Sequence, residues 1–173
     1  MKGFSALFGG FLALSTSLCF AADLKFEDFK VAEVFTGQNH ALLPVENSSP
    51  LWDEYRAQAI TRKVNFAGHY IVHTMGCGGG TVCGEVLDAR TGAVVASLPN
   101  AYYVVGREGK EEGEREGEYF VINFKPDSNL MMVLGVTADT EVDVSGKPMV
   151  SGNRVRYYEF TNNDFRLLKV EGS

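Results

Sequence analysis

The sequence predicts a mainly β protein, an antiparallel meander carrying one short helix. Three observations lead there. From about residue 66 the chain is a succession of runs rich in valine, isoleucine, tyrosine and phenylalanine. Short clusters of turn-forming residues separate these runs, and only one segment has helical spacing.

Taken in order, the chain opens on a predicted signal peptide, residues 1–21. Lys2 supplies a positive start, Phe4 to Phe20 is almost wholly apolar or small, and Cys19-Phe20-Ala21 gives the small-x-small pattern of a cleavage site after Ala21. The apolar run is marginal in length for a membrane span and has no positive flank on its far side. Leu18 stands where lipidation of Cys19 would need a small residue. The expectation is therefore an unlipidated periplasmic or secreted protein with no membrane anchor after leader removal, residues 22–173 forming a single antiparallel β-rich domain.

The stretch LKFEDFKVAEVF, Leu24 to Phe35, reads as an opening strand or strand pair. In NSSPLWDEYRAQAITRK, Ser48 or Ser49 can cap a helix, Pro50 fits its first turn, and Asp53 and Glu54 complement its dipole. Leu51, Trp52, Tyr55, Ala59 and Ile60 form the expected apolar side. Three hairpins are then predicted, turning around Arg90-Thr91-Gly92, Pro126-Asp127-Ser128-Asn129 and Asn162-Asn163-Asp164. DARTGAVV and FKPDSNLMMVLG resemble hairpins of β-propeller blades, so a small propeller-like repeat is the alternative fold. A propeller needs at least about four blades, which some 150 residues barely allow.

The stretch GHYIVHTMGCGGGTVCG, Gly68 to Gly84, concentrates the residue types that carry chemistry. Cys19 leaves with the leader, so the mature chain keeps Cys77 and Cys83, an even pair in an oxidising compartment. The glycines between them let the backbone close, and C-x-x-C is absent. A structural disulfide is expected, with Cα atoms within about 7 Å and a strand from His69 to Met75 antiparallel to Val82–Asp88. On such a strand His69 and His73 face the same way but lie about 13 Å apart, too far to share a metal. His73 and Met75, two apart, leave a periplasmic copper-binding protein as a weaker alternative. No cofactor and no metal site is expected otherwise.

The longer run VNFAGHYIVHTMGCGGGTVCGEVLDARTG, Val64 to Gly92, is similar to a signature of an uncharacterised family of small exported proteins of Gram-negative bacteria. That resemblance implies an extracytoplasmic location and a cysteine-bearing turn between two strands. It implies no catalytic residue.

Charge narrows the partners. Lys and Arg number 16, one of them Lys2 in the leader, against 22 Asp and Glu, a net charge of −6. Nucleic acid and anionic lipid need clustered cations that are missing here, so a protein partner, basic or neutral, is expected. GREGKEEGEREGE, from Gly106, holds six glutamates and three basic residues and reads as a solvated loop without the ligand spacing of a calcium site. Candidate interaction residues are Glu111 and Glu112 in it, Tyr102 and Tyr103 before it, and His69 and His73. No nucleophile elbow, phosphate loop or dinucleotide fingerprint appears. The sequence thus reads as an exported non-catalytic binding module of the inhibitor or immunity type. The alternative is a periplasmic hydrolase using His69 or His73, with His40 as a distant third histidine.

Overall fold

The computed structural model describes residues 23–104 and 120–172. The leader, Glu111 and Glu112 lie outside them. The expected mainly β architecture is present: the described residues form one α-helix, α1 (Pro50–Ala59), and eight strands in two antiparallel four-stranded sheets. Two sheets are half of what four propeller blades require, and the strands close no barrel.

The first sheet holds β1 (Tyr70–Gly78), β2 (Thr81–Asp88), β3 (Val94–Ser97) and β4 (Tyr102–Tyr103). Strand β2 is its centre, with β1 along one edge and β3 and β4 end to end along the other. The second sheet is a plain meander of β5 (Val121–Phe124), β6 (Leu130–Gly135), β7 (Arg154–Thr161) and β8 (Asp164–Glu171). All three predicted hairpins form. The β7–β8 turn is the tightest, Asn162 and Asn163 taking φ of 54° and 62°, the left-handed pair that a two-residue hairpin loop demands.

Period-2 alternation sorts side chains into two cores. Val72 and Val86 face the second sheet and meet Met131, Val133, Tyr158 and Phe160. Ile71 and Leu87, one position away, face the opposite side and meet Ala59 and Ile60 at the end of α1. The first sheet is thus covered on both faces, by α1 on one side and the second sheet on the other. Phe66, fully buried, packs where the sheets meet, edge-on to Phe124, tilted against Phe160 and stacked with Phe165.

Two elements depart from expectation. Leu24–Phe35 is not a strand: Phe26–Phe29 forms a 3-10 turn, and pairing is limited to a single bridge between Lys30 and Ser128. Phe26 and Phe29 are three apart, the spacing that one 3-10 turn places on one side, and the Lys25 N–H donates to Asp28 Oδ2 to close it. From there the segment lies across the β5–β6 turn. Ser128 Oγ donates to the Phe26 carbonyl, Asn129 N–H to the Phe29 carbonyl, and Val31 N–H to the Asp127 carbonyl.

Helix α1 starts where expected, with Ser49 Oγ accepting from the Trp52 N–H and Pro50 in the first turn. Its buried side differs. Leu51 and Tyr55 are exposed, whereas Arg56 and Ala59 are buried. The helix is rotated by a charge, because the Arg56 guanidinium points into the sheet toward Glu85.

Candidate functional site

The hairpin that carries Cys77 and Cys83 pairs antiparallel as expected, with its strand starting at Tyr70 rather than His69 and with Tyr70 opposite Asp88 and Gly76 opposite Val82. Between Gly76 and Gly78 the register shifts, so Cys77 is the extra residue of a bulge. It forms a disulfide with Cys83, the Cα atoms 5.8 Å apart. Gly78, Gly79 and Gly80 all take positive φ, 97°, 60° and 72°, a run that side chains with a Cβ rarely adopt. Thr81 Oγ1 donates to the Gly78 carbonyl at 2.6 Å and fixes the tip. Closing so short a loop stabilises by about 2 kcal/mol in the chain-entropy account. Replacing Cys77 and Cys83 together by serine is therefore expected to lower the melting temperature by several degrees while leaving the fold intact. An unchanged midpoint with and without dithiothreitol would contradict this.

Strand β4 seats two aromatic rings beside the staple and treats them oppositely. Thr81 pairs with Tyr103 and Val82 with Tyr102, and the Val104 N–H donates to the Gly80 carbonyl at 2.9 Å. Tyr102 points inward and is fully buried; its hydroxyl lies 3.5 Å from that of Tyr158, and burial pushes its phenol pKa up. It offers nothing to a partner. Tyr103 points outward and is 43% exposed, with Val104 beside it at 45%. Both ends of the glutamate-rich segment attach here, after Val104 and before Phe120, which lies near Tyr102 at a ring separation of 5.4 Å.

Tyr103 also walls a cleft of about 240 Å³ with Thr137, Asp139, Thr140, Glu141 and Met149. Thr137 is buried, and its hydroxyl has no hydrogen-bond partner among the described residues. Behind the cleft Glu141 grips Arg156, Nε to Oε2 and Nη2 to Oε1, both 2.6 Å. Burial alone would lower the Arg156 pKa; the Glu141 carboxylate raises it above its ordinary value.

The histidines do not share a site. His73 lies opposite Glu85 on the α1 side of the sheet, its side chain 2% exposed. Nε2 is 3.5 Å from Glu85 Oε2, and the Trp52 ring lies edge-on over it at 6.3 Å. Glu85 is claimed by Arg56, Nε to Oε2 and Nη2 to Oε1 at 2.7 Å. Burial pushes the Glu85 carboxyl up, but the Arg56 and His73 contacts outweigh it and hold its pKa down at about 2. Met75, on the same face, is buried too.

His69 sits outside the strand, where the Arg90 guanidinium donates to Nε2 at 2.6 Å and Asp88 Oδ2 lies 3.8 Å away. Arginine only donates, so Nε2 is an acceptor and the ring is neutral with its proton on Nδ1. Burial is the main cause of a lowered His69 pKa, opposed by Asp88 and reinforced by Arg90. His40 is exposed, and its Nδ1 contacts the Ala41 carbonyl at 2.8 Å. Among the described residues no group of three or more His, Cys, Asp or Glu could hold a metal ion, and no helix is long and apolar enough to cross a membrane.

Arg56, Glu85, Arg156, Glu141 and the cleft residues Asp139 and Thr140 escaped the sequence reading. One signal was available: a hairpin centred on Gly79 places His73 opposite Glu85 before any coordinates exist. Compared with protein-family models, with curated proteins and with solved structures, the chain matches none.

Proposed function

We propose that the protein is an exported, non-catalytic binding module of the inhibitor or immunity type. Its binding end would comprise the stapled turn, Tyr103, Val104 and the cleft lined by Asp139 and Thr140. The observation that carries this reading is Tyr103, an aromatic ring held outward on a two-residue strand hydrogen-bonded to a disulfide-closed turn. A ring on rigid backbone has little freedom to lose on association, and aromatic anchors of this kind dominate protein interfaces.

Asp139 at the cleft and an overall charge of −6 favour a partner with a basic surface. The disulfide supports an oxidising compartment, as do the predicted leader and the resemblance to exported proteins.

The test is recovery from periplasmic extract. A stoichiometric partner is expected to bind the wild type and the His69→Ala variant equally, to weaken by about tenfold or more with Tyr103→Ser, and to weaken further as salt rises. Absence of any partner, together with hydrolysis of an ester or peptide panel that disappears in His69→Ala, would replace this reading by the hydrolase.

A further inference from the structure

A second cleft lies at the other end of β1 from the staple and has the opposite electrostatic character. It measures about 550 Å³, within the range of small-molecule sites. Phe35, Val64 and Pro126 give it apolar walls, Arg62 and Lys63 line it from the segment after α1, and no acidic side chain among the described residues does so. In a chain of net charge −6 this is a local reversal of sign. Neither cation has an ion-pair or hydrogen-bond partner for its side chain among the described residues, whereas buried Arg56 and Arg156 each hold a carboxylate.

The cleft is held open by polar contacts rather than by accident of surface shape. Asn39 Nδ2 donates to the carbonyls of Ile60 and Arg62, both at 2.7 Å, tying the loop that carries Phe35 to the segment that carries the cations. The Phe35 N–H donates to the Gly68 carbonyl at 2.6 Å, and the Gly68 N–H to the Pro126 carbonyl at 2.7 Å. Phe35 and Val64 continue into the core beneath α1, so the apolar wall has a fixed backing.

The geometry points to a binding site for a small amphiphilic anion: an apolar chain or ring carrying one carboxylate or sulfonate. Its apolar body would lie on Phe35, Val64 and Pro126. Its anionic head would meet Arg62, which can receive it in two parallel hydrogen bonds, and Lys63 as a point charge. Neutral molecules of the same size lose the second half of this recognition, and cations are repelled.

Two probes test it on the mature, disulfide-bonded protein. Anilinonaphthalene sulfonate, a naphthalene carrying a phenylamino ring and one sulfonate, should bind at one saturable site with enhanced fluorescence, and decanoate should displace it much better than decanol. Arg62→Ser with Lys63→Ser should weaken decanoate by about tenfold or more while leaving decanol nearly unchanged. Val64→Asp should weaken both, and Arg166→Ser, an exposed arginine elsewhere, neither. Melting temperatures of all variants check that folded protein is compared. Equal displacement by decanoate and decanol, or unaltered decanoate affinity in the double serine variant, would overturn the proposal, as would absence of saturable binding. Recovery of a protein partner through Tyr103 depends on the other end of the sheet and stands or falls separately.

Discussion

Replacing Arg156 by alanine is expected to cost about 3–5 kcal/mol. Arg156 is 0% exposed, locked between the sheets. Beyond its paired bonds to Glu141, its Nη1 donates to the carbonyls of Gly135 and Arg154 at 2.7 and 2.9 Å, and the guanidinium lies 5.7 Å from the centre of the Tyr102 ring. Removal strips one buried and one half-buried carbonyl of a donor and leaves the Glu141 carboxylate, among the described residues, with Arg154 as its remaining cation, 3.7 Å away. For a chain of this size the loss corresponds to a melting point lower by about 10 °C. Combining Arg156→Met with Glu141→Gln should recover much of it, since the penalty lies in an uncompensated charge. Urea unfolding of the single and double variants reads the result, and a single-variant loss under about 1 kcal/mol would contradict the argument. Glu141 walls the cleft beside Tyr103, so the single variant should also weaken binding of the proposed partner.

The second large effect is at Arg56. Arg56→Ala leaves Glu85 buried with only His73 at 3.5 Å, again an expected loss of about 3–5 kcal/mol at neutral pH. Its signature is the pH dependence. Glu85 titrates at about 2 in the fold against an ordinary value of 4.5. Its contribution is therefore complete above pH 4.5 and is lost as pH falls from there toward 2, in total about 3 kcal/mol. In Arg56→Ala burial is no longer outweighed, the carboxyl shifts upward, and that acid limb should flatten. Urea midpoints at pH 3 and pH 7 measure it. The two proteins should differ strongly at pH 7 and much less at pH 3; parallel curves would show that Arg56 does not hold Glu85 ionised.

What could be read from the sequence was local. The hairpin turns, the Ser49–Pro50 helix start and the disulfide all depend on residues a few positions apart, whose chemistry speaks without knowledge of the fold. The buried pairs join residues 29 and 15 positions apart, and nothing in the pattern around Arg56 distinguishes it from a solvated arginine. Helical spacing therefore proposed Leu51 and Tyr55 for the buried face, because it scores hydrophobicity and cannot see a carboxylate waiting on a neighbouring sheet. Tyr102 and Tyr103 show the same limit in one dipeptide: a strand sends consecutive side chains to opposite faces, but which face is inside depends on register with β2. The apolar cleft was invisible for a further reason, since Phe35, Arg62 and Pro126 come from three separate connections.

The 3-10 turn at Phe26–Phe29 and the stretch after it set the order in which the molecule can be completed. Their partners are Asp127, Ser128 and Asn129, Ser128 Oγ reaching a carbonyl 102 positions earlier in the chain. Hairpins such as β7–β8 close within microseconds, whereas a contact of that span must first overcome the entropy of a long loop. The segment ahead of α1 is thus among the last to settle. That clasp cannot lock until the β5–β6 turn has formed, so the segment ahead of α1 stays free while the hairpins close around it. It acts as a late fastening, drawn tight only over strands that are already paired.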